Sequence, residues 1–147
     1  MHQTGHYSWR GIVAGATLLG ITALAPALAS ATTVAAGPAA TSAQDASAAL
    51  AAGLRGLNDF AAASEAALAA GDPIAARESY ALFDSGWEAI EDGVRERSRD
   101  DYRSIEDAMR EVDRALRSDP VDSVLATQWL TELQSRVDKF VATLPGS

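Results

Sequence analysis

The chemistry open to this chain is carboxylate chemistry. Glu88-x-x-Glu91 puts two acids three residues apart, and so on one face of any helix that carries them. Glu106 lies in the next amphipathic run, with Asp84, Asp92, Asp107 and Asp113 close by. Such a set of oxygen donors suits hard cations, ferric iron among them, which makes Glu88, Glu91 and Glu106 the candidate metal ligands. The competing reading is a solvated acidic face balanced by arginines, because charge runs are usually plain surface. Arg95, Arg97, Arg99, Arg103, Arg110, Arg114 and Arg117 share the stretch, yet residues 72–119 hold 14 acids and 8 bases, so the arginines do not neutralise it. Tyr80 and Tyr102 can supply phenolate oxygens to a ferric site; the alternative for a seam tyrosine is a core ring with its hydroxyl at the rim.

Other chemistries are closed off by composition. The chain has no cysteine, which removes disulfides, thiolate metal sites and cysteine nucleophiles. Its two histidines, His2 and His6, sit at the extreme N-terminus. If that end is removed, no imidazole is left for general-base catalysis or for the common zinc and haem ligand sets. A hydrolase would then need a Ser–Lys pair or a carboxylate pair, and Lys139 is the only lysine. Glycoside chemistry on paired carboxylates needs a cleft that a small helical bundle does not offer. The expectation is a protein that is not an enzyme. The net charge of −8 argues against nucleic acid as a partner.

The elements that must position these acids are helices. Apolar residues recur at Tyr80, Phe83, Trp87, Ile90 and Val94, then at Tyr102, Ile105, Met109, Val112 and Leu116, in steps of three and four. Two helices folded back on each other about Ser98 then bring Asp84 and Glu91 opposite Asp113 and Glu106. The same register places Gly86 and Gly93 opposite Ala108 and Ala115, so one edge of the pair is carboxylate and the other is small. Like charges set together are destabilising unless something neutralises them. A helix over Asp45–Ala70 precedes this pair, with a seam of Leu50, Leu54, Leu57, Ala61, Ser64 and Leu68 and with Phe60 alongside. Gly71-Asp72-Pro73 reads as C-cap, N-cap and first helical residue. Ser98, followed by Asp101, opens the third helix as a capping box. Asp119-Pro120 repeats the Asp-Pro start for a fourth, with a seam of Leu125, Trp129, Leu130, Leu133, Val137, Phe140 and Leu144 that Pro145-Gly146 stops. The expected fold is all-α, an antiparallel up-down four-helix bundle over residues 45–147.

Two segments precede the bundle. Residues 1–31 read as a signal peptide: Arg10, then an uncharged apolar run, then Pro26 and small residues suited to cleavage. The other reading of the same run is an uncleaved membrane anchor. Residues 32–44 read as a flexible linker. The implied location is periplasmic or secreted, with membrane contact only if the leader is retained.

The runs Trp-Glu-x-Ile-Glu-Asp-Gly-Val-Arg (Trp87 to Arg95) and Tyr-Arg-x-Ile-Glu-Asp-Ala-Met (Tyr102 to Met109) resemble the extracytoplasmic helical segment associated with some bacterial high-affinity iron permeases. The resemblance covers about a third of the chain. It implies a role in iron uptake, with Glu88, Glu91 and Glu106 as the carboxylates that handle iron and a membrane iron permease as partner. The characteristic His-x-x-Glu pairs of related iron-uptake domains are not in this sequence. The rival reading is a non-catalytic structural or protein-interaction bundle whose acidic face meets a basic partner. Geometry separates the two: converging carboxyl groups favour a metal, and carboxyl groups each paired with an arginine favour structure.

Overall fold

The computed structural model describes residues 38–146. The proposed leader, residues 1–31, and residues 32–37 of the proposed linker lie outside them. Four helices make up the described chain: α1 (Pro38–Ala69), α2 (Pro73–Arg97), α3 (Arg99–Arg117) and α4 (Ser123–Val141). They pack in a ring in which α1 touches α2, α2 touches α3, α3 touches α4 and α4 closes back on α1. The domain is thus an all-helical bundle. Among the described residues no helix is long and apolar enough to cross a membrane.

The predicted seams become the core. Leu54, Phe83, Trp87, Val94, Ile105, Val112, Leu116, Leu130, Leu133, Val137 and Phe140 are all essentially inaccessible to water. Burial of such side chains contributes about 1.5–3 kcal/mol each, which lets α1 remain helical despite Gly53 and Gly56. Ile90, Tyr102, Leu125 and Trp129 pack at the margin of this core.

The first turn follows the expected chemistry. Gly71 takes a left-handed φ of 76°, its N–H bonds to Leu68 O, and the Asp72 N–H bonds to Ala67 O. This double bond is the Schellman closure that glycine allows at no steric cost. The Asp72 carboxylate then accepts the N–H groups of Ile74 and Ala75 at 3.1 and 3.0 Å. Ser98 alone separates α2 from α3: its N–H closes α2 on Val94 O, and its hydroxyl accepts the Asp101 N–H. Only half of the expected capping box forms, because the Ser98 N–H is already used by the preceding helix.

Three expectations are corrected. Helix α1 includes residues 38–44, which the sequence reading assigns to the linker; the run is rich in alanine, which favours helix. Helix α4 starts at Ser123, with Asp122 and not Asp119 as its N-cap. Asp119–Pro120 is a cis peptide within the turn, and the Ser118 hydroxyl holds that turn by donating to Ala115 O and accepting the Asp122 N–H. The third correction concerns Gly86 and Gly93, which face Leu57 and Leu50 of α1 rather than the alanines of α3. Helix α2 therefore spends its small face on α1, and its acidic face is left to α3.

Candidate functional site: an acidic groove between α2 and α3

Once α2 has turned its glycines to α1, its residues Asp84, Glu88 and Glu91 border α3, which contributes Glu106, Arg110, Asp113 and Arg117. Between them lies a groove of about 370 Å³ that reaches down to Tyr80, Trp87 and Met109. All three candidate ligands, Glu88, Glu91 and Glu106, line it, together with Asp84 and Asp113 of the predicted carboxylate edge.

The aromatic floor holds two of the acids. The buried Trp87 indole N–H donates to Glu106 Oε1 at 2.6 Å, a short bond typical of a charged acceptor. The Tyr102 hydroxyl donates to Glu91 Oε2 at 3.4 Å, and its ring stacks on Trp87 with centroids 6.0 Å apart. Arg95 lies over the other part of this layer, 5.7 Å from the Tyr102 centroid. At the far end Tyr80 donates to Met109 O at 2.8 Å. Burial, followed by the carboxylates of Asp84, Asp113 and Glu106, pushes the Tyr80 phenol well above its ordinary range, against a smaller opposing effect of Arg117. Partial burial, then Glu106 and Glu91, raise Tyr102 in the same direction.

Of the groove acids, Asp113 alone is met by an arginine. Arg95 pairs with Asp92, Arg103 with Asp100, Arg110 with Asp107, Arg114 with Glu111 and Arg117 with Asp113, each within its own helix. Arg97 donates to Gly93 O. Among the described residues, the Asp84 and Glu88 carboxylates make no hydrogen bond or ion pair, and only Asp113 of the five groove acids is salt-bridged. The groove acids are not paired one-to-one with arginine, and no group of three or more acidic or histidine side chains stands ready to hold a metal ion among the described residues.

The sequence reading missed the part played by Trp87. It treats the residue as plain core, whereas its indole nitrogen fixes Glu106 in place. The signal was legible in principle, since a tryptophan at a seam position next to an acidic edge must direct its N–H somewhere. Comparison with protein-family models, with curated proteins and with solved structures finds no match to this chain.

Proposed function

We propose that this domain is a non-catalytic interaction module whose α2/α3 groove receives a cationic segment of a partner protein. One observation carries this reading: five carboxylates line one groove and a single one of them is salt-bridged. A ligand bearing lysine or arginine would supply the missing countercharge, its stems lying on the ring edges and thioether of the floor. In this reading the four helices run up-down-up-down. Its support is that the cross-contacts Tyr80–Met109, Trp87–Glu106 and Glu91–Tyr102 pair rising numbers on α2 with falling numbers on α3. The module acts outside the cytoplasm, as residues 1–31 read as an export leader.

The test is calorimetric titration of the full chain with a lysine-rich helical peptide. Binding should weaken with salt and drop about tenfold or more in an Asp84→Asn, Glu88→Gln double variant, as expected when charge pairs worth about 1.5–3 kcal/mol are lost. Binding that ignores both salt and the variant would refute the assignment of the groove.

A second reading has one observation in its favour: Glu88, Glu91 and Glu106 line the same groove. In it the groove handles a metal cation, iron being the one the resemblance implies, next to a membrane iron permease. Glu106 could offer Oε2 to such a ligand set while Oε1 keeps the Trp87 indole bond. Titration with Fe(III) chelate, Fe(II), Mn(II) and Ca(II) decides it, since a ligand that binds only the native state raises its stability. A rise abolished by Glu91→Gln, Glu106→Gln supports the metal; no rise with any of the four eliminates it.

A further inference from the structure

The ring of helices is closed unevenly. Helices α1 and α2 form one closely packed hairpin and α3 and α4 another. Inside the first, the buried Ser64 hydroxyl donates to Ala76 O at 2.9 Å. Inside the second, Arg136 donates to Ser104 O. The two hairpins meet along two seams of different construction. The α2/α3 seam is covalently joined at Ser98 and is bonded across by Tyr80 to Met109 O, Trp87 to Glu106, and Arg77 to Leu116 O at 2.7 Å.

The α1/α4 seam is the one neighbouring pair with no connecting turn. Its shortest side-chain fastenings are two polar contacts seven residues apart on each helix: Asn58 Nδ2 to Asp138 Oδ1 at 2.8 Å, and Thr131 Oγ1 to Glu65 Oε1 at 2.8 Å. Asn58 also reaches Gln134 O at 3.4 Å. Beside that contact, Asn58 Oδ1 and Gln134 Nε2 are shut from solvent without a hydrogen-bond partner, which costs stability at this seam.

From these features we infer that the bundle opens like a book, with α2/α3 as its spine and α1/α4 as its free edge. The Asn58–Asp138 and Glu65–Thr131 contacts are the clasp. A sub-global opening of this kind follows the seam that no turn joins and whose two clasp bonds are exposed to water. It parts α4 from α1 while each hairpin, and the groove on the spine, stay assembled.

Because the chain has no cysteine, single thiols report the opening directly. Val137→Cys places one in the core on α4, and Ser64→Cys places one between α1 and α2; both native positions are fully buried. In the full chain, Asn58→Ala with Thr131→Val should speed labelling of the Val137 thiol by about 25-fold, at roughly fivefold per hydrogen bond lost. No acceleration at position 137 would overturn the proposal. The two single-thiol proteins with an intact clasp separate edge opening from global unfolding, whether or not the double variant folds. A shallower urea dependence of labelling at position 137 than at 64 supports opening at the edge, and equal slopes refute it.

Discussion

Replacing helical glycines with alanine tests how closely α1 and α2 approach, and the outcome should change sign along the series. Alanine in a helix interior is favoured over glycine by about 1 kcal/mol. A Cβ on Gly56 would meet nothing within 4 Å, so Gly56→Ala should return most of that gain. On Gly53 the nearest atoms belong to Ile90 at 3.7 and 3.8 Å, and on Gly93 to Leu50 at 3.5 Å, which is ordinary contact. These two variants should also be stabilised, by about 0.5–1 kcal/mol. Gly86 differs, because its Cβ would overlap Leu57 Cδ2. Leu57 is itself buried, so its methyl cannot swing out to water, and overpacking of this kind costs about 1–3 kcal/mol. Set against the helix gain, Gly86→Ala should lose about 1 kcal/mol, placing it roughly 2 kcal/mol below Gly56→Ala. Urea unfolding followed by far-ultraviolet circular dichroism measures this, given a constant slope across the series. The loss should also vanish in a Leu57→Ala background, where the overlapping methyl is gone. A Gly86→Ala protein as stable as Gly56→Ala would refute the claim that α2 needs a bare backbone against Leu57.

Three further outcomes follow from the same geometry. Asp72→Ala and Asp122→Ala should each cost about 1 kcal/mol in urea unfolding, since each carboxylate caps a helix; Asp119→Ala should cost far less. The raised Tyr80 phenol keeps its proton in the fold at a pH where an unfolded tyrosine, ionising near about 10, has lost it. Its contribution is therefore complete below that pH and disappears as pH rises towards the folded value. Unfolding free energy should fall with alkaline pH, and Tyr80→Phe should flatten the slope. Ile105→Ala should cost about 2–5 kcal/mol as a core cavity, whereas Val124→Ala, at an 82% exposed site, should fall within about 0.5 kcal/mol of the parent by the same unfolding assay.

Periodicity and caps were legible in the sequence because they are local. A three-and-four spacing of Phe83, Trp87, Val94, Ile105 and Val112 defines one apolar stripe per helix whatever the stripe meets. Gly71-Asp72-Pro73 and Ser98 likewise act on backbone groups only a few residues away. The fourth helix start shows where local signals stop deciding. Asp119-Pro120 and Asp122 are both plausible caps, and the choice of Asp122 follows the Ser118 and Ala115 bonds that hold the turn.

The site was legible only in part, for the same reason. Chain composition fixed that the acids of residues 72–119 outnumber the bases and that neither thiol nor core imidazole chemistry is at hand. Heptad position alone put Glu91 and Glu106 on one edge, and both do line one groove. What the tertiary structure decided is which side chain answers each acid. Trp87 takes Glu106, Tyr102 takes Glu91, and the arginines turn back to acids on their own helices. It also decided that Gly86 and Gly93 serve the α1 contact. A helix carries several faces, and its sequence names them all; which face meets which neighbour depends on how four helices share one core, a condition no single stretch of chain contains.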